Sequence, residues 1–304
     1  MKKHILILLS IALLSTACKK ENNPKLIFKF KFDSTQTRLN NFGQTATIPA
    51  NHGTQSPIMH GMSAHYIELA PDSLTQIGKG DILYKASETS LGGENAIDFS
   101  KAIIKGNGEI FYSVPLKNVT AGTYKWLRVS LAYQNYDIQF RYRANLPVVG
   151  LVDEMLNAEV ASFVGFNTYI TSYNIKGETI TVNGNRKQGY GAAKAYNIPY
   201  DINVPAFSWQ ALAGATTVPN PISLTSPIPA GSCVVTGRFL SNLTITGNET
   251  EDIVIVVSLS VNNSFEWYDV YGDNIFEPVD GMNNNAKLDS VVDMGIRGLI
   301  PYRE

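Results

Sequence analysis

Hydrophobic and polar residues alternate along several separate stretches of the chain, and this period of two predicts β-strands that bury one face. The clearest stretch is 26–32, where the phenylalanines fall on one face and the lysines on the other. Residues 124–133 and 138–142 repeat the pattern, and we expect them to be two paired strands. Residues 253–261 are apolar on both faces at their start, which predicts a central strand.

Two further segments have patterns of their own. Residues 166–183 resemble a hairpin that turns at Lys176-Gly177-Glu178. In residues 150–164 apolar side chains recur at three-to-four spacing, which predicts an amphipathic helix of about four turns with its apolar stripe facing the core. That stripe comprises Leu151, Val152, Met155, Leu156, Val160, Phe163 and Val164.

Taken together, these patterns predict an all-β protein. Short strands separated by segments rich in Gly, Pro and Asn indicate an antiparallel β-sandwich with long loops and one short amphipathic helix. The charged fraction of only 17%, with many Tyr and Thr, also favours strands over long helices. We expect residues 26–304 to form a single elaborated sandwich domain, and two β domains, 26–145 and 146–304, are the alternative.

The first residues of the chain have the features of an export signal. Lys2 and Lys3 precede an apolar run at 5–14, which is too short to span a bilayer. The run ends in Leu14-Ser15-Thr16-Ala17-Cys18, which resembles the lipobox of bacterial lipoproteins.

The lipobox resemblance implies that residues 1–17 are removed as a signal peptide and that Cys18 is acylated. Several acyl chains on one residue anchor a protein stably in a membrane, and residues 18–25 would then be a short tether. We expect a lipoprotein of the outer membrane, with its periplasmic and its surface face left as alternatives.

Three tripeptides point to the same lineage. Exported proteins of the Bacteroidota are similar in carrying O-glycans at Asp, then Ser or Thr, then an aliphatic residue or Thr. Asp33-Ser34-Thr35, Asp72-Ser73-Leu74 and Asp289-Ser290-Val291 match this motif. The resemblance implies glycosylation at these serines.

A third resemblance concerns residues 26–135. A Phe-rich opening strand, a strand entry that contains histidine, and Thr120-Ala121-Gly122-Thr123-Tyr124 before a long apolar strand occur in this order. The order is similar to that of the periplasmic copper-protein family found beside methanobactin biosynthesis genes. The likeness implies a link to copper, but it assigns a role to no individual residue.

The residue types between 52 and 65 give the copper hypothesis its candidate ligands. Imidazole and thioether groups together suit copper, and the segment contains His52, Met59, His60, Met62 and His65. Their spacing matches no defined metal motif, so separate roles as loop and strand residues are the alternative.

Carboxylates supply two more candidates. Asp269, Asp273, Glu277 and Asp280 share a loop with Gly and Asn, and oxygen-rich loops are what calcium requires, although a solvated acidic loop is the alternative. Glycoside hydrolysis uses a pair of carboxylates, for which Glu266 and Asp269 are the candidates. The sequence contains no recognisable catalytic motif, so we do not expect an enzyme.

The remaining observations bear on the ligand. Lys and Arg number 25 against 26 Asp and Glu, with no basic stripe, so nucleic acid is not the expected partner. Cys233 lies in an apolar run and is expected to be a buried thiol.

Trp126 and Trp267 are expected in the core, whereas Trp209, in a Pro-rich segment, is the expected exposed ligand-binding residue. We therefore expect an envelope binding or accessory protein for a glycan or a protein, with metal capture and glycoside hydrolysis as alternatives.

Overall fold

A computed structural model describes residues 23–147, 149–186, 188–198, 204–210, 231–281 and 287–304. Residues 1–22, which include Cys18, lie outside these ranges. The described residues form an all-β, sandwich-like fold, and their only helices are short 3₁₀ turns at Phe99–Lys101 and Leu116–Asn118. No helix in the described ranges is long and apolar enough to cross a bilayer.

The strands are numbered in chain order. They are β1 (Lys25–Asp33), β2 (His52–Gln55), β3 (Ile58–Ala70), β4 (Asp81–Lys85), β5 (Glu88–Thr89), β6 (Ala96–Asp98), β7 (Ile110–Pro115), β8 (Gly122–Leu146), β9 (Gly150–Phe163), β10 (Thr168–Ile175), β11 (Glu178–Arg186), β12 (Tyr190–Tyr196), β13 (Phe207–Gln210), β14 (Cys233–Ile245), β15 (Ile253–Ser260), β16 (Phe265–Tyr268), β17 (Val279–Asp280), β18 (Ser290–Asp293) and β19 (Leu299–Arg303).

The first strand lies inside a sheet of order β19-β15-β1-β7. β1 buries Leu26, Phe28 and Phe30 completely, which confirms the alternation seen in the sequence. Its neighbour β15 is central, as predicted, but runs parallel to β1 rather than antiparallel. Because β1 and β15 come from opposite ends of the chain, the first and last parts of the sequence share one sheet.

The large sheet has the order β13-β12-β9-β8-β3-β4, and β14 and β17 also pair with β8. The prediction of two paired strands at 124–133 and 138–142 is wrong, because β8 is one continuous strand of 25 residues. The residues between the two stretches are mostly polar. In the structure Gln134 is buried within the strand, and its side-chain amide donates to the carbonyl of Met294 at 2.6 Å, so the polar group is satisfied without a turn.

The prediction of a helix at 150–164 is also wrong. These residues form β9, and the whole of β9 pairs with the second half of β8. The helical spacing combined residues from both faces of a strand. Val152, Leu156 and Val160 are buried, whereas Leu151 and Met155 point to solvent and are 63% and 50% exposed. Pairing with the long β8 therefore overrides the helical pattern.

The two faces of the β8–β9 region are covered by different elements. One face packs beneath β16 in a core that includes Tyr136, Phe140, Val160 and Trp267. The opposite face contributes Tyr133 and Phe163 to a second core with the β10–β11 hairpin. This hairpin confirms the prediction for 166–183, and it turns through Lys176 and Gly177, both with positive φ, as a two-residue turn requires.

Candidate functional site

The three histidines of the copper hypothesis contact three different carboxylates. His52 on β2 binds Glu266 through Nδ1. His60 Nε2 lies 3.0 Å from Asp137 Oδ1, and its side chain is 40% exposed. His65 is buried in β3, with Nε2 2.8 Å from Glu88 Oε1, and its ring stacks on Phe166.

The methionines of the same segment pack in apolar cores. Met62 is fully buried in the largest core, and Met59 packs between two cores. Among the residues that the structure describes, no group of three or more His, Cys, Asp or Glu side chains could hold a metal ion. Each histidine therefore has a separate role in linking strands, as in the alternative interpretation of this segment.

Glu266 is the centre of a buried charge network. It accepts bonds from Arg38, His52 and Arg297, so that β16 is tied to β2 and to two loops. Burial acts to raise its pKa, but the bonds from His52 and Arg38 and the charges of Arg38 and Arg297 leave the pKa below its ordinary value. An ionised, fully engaged carboxylate is a poor general acid.

The other proposed carboxylates have local structural roles. Asp269 closes its own loop by accepting from the backbone N–H groups of Tyr271, Gly272 and Asn274. Glu277 accepts from Arg141 at 3.1 Å. Calcium coordination by this loop and hydrolysis by Glu266 and Asp269 therefore receive no support from the described geometry.

The tryptophans and the cysteine follow their sequence patterns in part. Trp267 is buried, Trp126 is half-buried, and Cys233 is a buried free thiol whose pKa is raised by burial to about 12. Trp209 lies on β13 rather than in an open loop, and it is only half-exposed. Its indole covers Gly191, where an added Cβ would lie 2.5 Å from the ring.

Trp209 lines a pocket whose walls are almost entirely apolar, so it does not have the hydrogen-bonding partners that a sugar requires. A second concavity has them. We call it the β10 cleft: a space of about 480 Å³ between β10 and the 3₁₀ turn at Phe99–Lys101. Its lining combines aromatic rings with small polar groups and two aliphatic side chains: Phe99, Tyr133, Tyr169 and Tyr173 with Asp98, Ser100, Thr171, Ser172 and Asn174, and with Leu91 and Ile104.

Comparisons with protein families, with curated proteins and with solved structures find no match. The residues of the cleft must therefore be interpreted from their own chemistry.

Parallel pairing of β6 with β10 builds one wall of the cleft, because the register places Asp98 beside Tyr169. Asp98 caps the 3₁₀ turn that follows β6: its Oδ1 accepts from Ser100 Oγ at 2.6 Å, and its Oδ2 contacts Lys101 Nζ at 2.8 Å. These two bonds hold the pKa of Asp98 below its ordinary value, and the bond from Lys101 has the larger effect. Asp98 is therefore an ionised acceptor at neutral pH.

Aromatic rings form and support the floor. The half-buried Phe99 packs on Tyr133, which also lines the cleft, and on the buried Phe163 beneath, with ring centroids 5.2 and 4.9 Å apart. Phe163 also contacts Tyr173, at 5.4 Å. Rings that interlock in this way give the cleft a rigid base, so its shape is set before a ligand arrives.

The open side carries the groups that a ligand would meet. Thr171, Ser172 and Asn174 are exposed on β10, and a bulge after Ile170 brings the first two to the same side. Tyr169 is half-exposed, and its ring lies against Gly92 and Gly184, where added Cβ atoms would approach it to 3.0 and 2.9 Å. An aromatic face beside hydroxyl and amide groups suits a ligand with both apolar and hydroxylated surfaces.

Sequence reasoning missed this site. The alternation of Tyr169, Thr171 and Tyr173 marked a hairpin strand, but Phe99 and Asp98 stand in a segment that looks like a loop. They meet β10 only through a two-residue parallel pairing. Short pairings between distant segments leave no periodic signal in the sequence.

Proposed function

We propose that the chain is a lipid-anchored outer-membrane protein that binds a glycan in the β10 cleft. The observation that carries this proposal is the combination of Tyr169 with an ionised carboxylate, three Ser and Thr hydroxyls and an amide around one concavity. Sugar rings offer an apolar face for stacking and hydroxyls that need both donors and acceptors. The cleft supplies each of these.

The size of the cleft favours a glycan over a protein ligand. A stable protein interface uses about 20–30 residues on each partner, whereas eleven described residues line the cleft, which has a volume of about 480 Å³. A space of this size lies within the range of small-molecule sites, which is about 300–1,000 Å³. It suits a few sugar units.

The same lining favours binding over cleavage. Glycoside hydrolysis uses two carboxyl groups that flank the scissile bond, and Asp98 is the only one among the described residues that line the cleft. Its ion pair with Lys101 and its lowered pKa also keep it from acting as a general acid.

Anchorage remains a proposal that rests on the lipobox resemblance. β1 begins at Lys25, so the proposed tether from Cys18 joins the first strand of the sandwich almost directly. This arrangement would hold the sandwich close to the membrane.

A glycan array tests the proposed ligand class. We expect the purified protein to bind a defined set of oligosaccharides, and Tyr169→Ala to weaken binding at least tenfold, equivalent to about 1.4 kcal/mol. Tyr271→Ala removes an exposed tyrosine that does not line the cleft and serves as the matched control. A circular-dichroism spectrum of each variant checks that the fold is intact.

Two results would contradict the proposal. One is the absence of any bound glycan on an array that includes bacterial and host oligosaccharides. The other is equal loss of binding in Tyr169→Ala and Tyr271→Ala, which would show that the cleft has no special role.

A further inference from the structure

The apolar pocket that Trp209 lines is on the side of the β8–β9 region opposite the β10 cleft, beneath β16 and β18. It has a volume of about 260 Å³. We call it the alanine-floored pocket, because Ala158, Ala193 and Ala195 form its base on the neighbouring strands β9 and β12. Its existence follows from these small side chains, since Ala158 pairs with Ala195 across the two strands and neither fills the space above it.

Large side chains form the walls around this base. Phe140 rises from β8, Phe207 and Trp209 from β13, and Phe265 from β16. Phe207 lies at one side of the pocket and is 59% exposed, so a ligand can enter the pocket from solvent there. A cavity of about 150 Å³ lined by similar residues stays dry and binds benzene, so this pocket has room for more than one aromatic ring or for a length of hydrocarbon chain.

The polar groups of the pocket limit the ligand further. Asp289 is the one charged residue in the described lining, and its two carboxylate oxygens accept from the backbone N–H groups of Val270 and Glu277 at 2.9 and 2.7 Å. Asp289 is thus engaged with the protein rather than turned to a ligand. Burial, and to a lesser extent the charges of Asp269 and Asp273, raise the pKa of Asp289, so a second negative charge bound against this wall is disfavoured.

We propose that the alanine-floored pocket binds an uncharged, hydrocarbon-rich small molecule. The apolar walls exclude a sugar, and the acidic wall disfavours a fatty-acid anion. This inference is independent of the proposed glycan site, because the two concavities share no lining residue.

Fluorescence of N-phenyl-1-naphthylamine, a neutral probe that brightens in apolar surroundings, tests the proposal. The chain from Lys19 to Glu304 suits this experiment, because it lacks the proposed acylation site at Cys18 and retains every described strand. We expect saturable binding of one probe per chain. Neutral 1-decanol should displace the probe, and ionised decanoate at pH 7 should do so at least tenfold less well.

Variants locate the bound probe. Ala193→Leu fills the base of the pocket and should weaken probe binding at least tenfold, and Ala195→Leu, at a less buried position, should do the same if the first variant folds poorly. Ala121→Leu makes the same change at an exposed bend outside the pocket and should have no effect. Tyr169→Ala should also leave probe binding unchanged, which separates this proposal from the glycan site.

The proposal is overturned if the wild-type chain shows no saturable binding, or if both filled variants fold and bind as the wild type does. Equal displacement by 1-decanol and decanoate would overturn the assignment of an uncharged ligand. Loss of probe binding in Tyr169→Ala with full binding in Ala193→Leu would place the probe in the β10 cleft and would likewise refute the pocket.

Discussion

At the scale of single residues, charged side chains mainly form ion pairs and hydrogen bonds that connect strands. Glu88 on β5 is the clearest case, because it contacts His65 on β3 at 2.8 Å, Lys85 at 3.0 Å and Asn95 at 2.8 Å. The bond from His65 is the largest of the effects that lower the pKa of Glu88 to about 2, and it outweighs the opposite effect of burial. Glu88 is therefore bound more tightly as an anion than as an acid.

The lowered pKa predicts a pH dependence of stability. The unfolded-state pKa of a glutamate is about 4.3, so the stabilisation by Glu88 is complete above that pH and is lost as the pH falls toward about 2. We expect Glu88→Gln to lower the free energy of unfolding by about 1–3 kcal/mol at pH 7 and by much less at pH 2.5. Urea unfolding at both pH values measures the difference.

Glu251→Gln, at an exposed position, is the matched control and should change stability little at either pH. If Glu88→Gln and the wild type differ by the same amount at pH 7 and pH 2.5, the ionised Glu88 does not stabilise the fold in the way described.

At the scale of elements, long strands decide the architecture. β8 pairs with β3, β9 and β14 along different parts of its length, so it belongs to the walls of several cores at once. β9 follows it in exact antiparallel register from Gly150 to Phe163. The side chains of β9 therefore alternate between the two faces of the sheet, whatever their helical spacing.

Neighbouring positions on β9 test this alternation. Leu156 is 5% exposed and packs in the core, so Leu156→Ala should cost about 2–5 kcal/mol of unfolding free energy. Met155 is half-exposed on the other face, and Met155→Ala should cost less than about 1 kcal/mol. Chemical denaturation gives both values. Similar losses in the two variants would instead agree with the helical stripe, on which both residues lie.

The sequence predicts those elements in which the apolar residues of the pattern are the ones that the fold buries on one face. A central strand at 253–261, apolar on both faces at its start, is present. The strand at 26–32 and the hairpin at 166–183 are of the one-faced kind, and both are present. Residues 150–164 are not, because Leu151 and Met155 are apolar yet exposed. The β10 cleft was missed for a different reason: Asp98 and Tyr169 are brought together by tertiary pairing, which local periodicity does not encode.

At the scale of the whole molecule, a sandwich-like β body carries two concavities of different chemistry and a proposed lipid anchor at one end. The polar β10 cleft and the alanine-floored pocket lie on opposite faces of the β8–β9 region. Each is built mainly on strands, which hold side chains more firmly than loops do. A body of this kind could bind its ligands without a large change of shape.

The anchor makes a prediction of its own. Metabolic labelling with an alkyne analogue of palmitate should modify the chain through Cys18, and Cys18→Ser should abolish the label. Cys233→Ser is the control and should retain full labelling, because Cys233 is a buried thiol. Persistent labelling of Cys18→Ser would refute the proposed site of acylation.

The most direct test of the central claim is a crystal structure of the protein with the oligosaccharide that binds best on the array. The account predicts a sugar ring against the face of Tyr169, with its hydroxyl groups within hydrogen-bonding distance of Asn174 and Asp98. A sugar bound elsewhere on the surface, with the β10 cleft empty, would contradict the account.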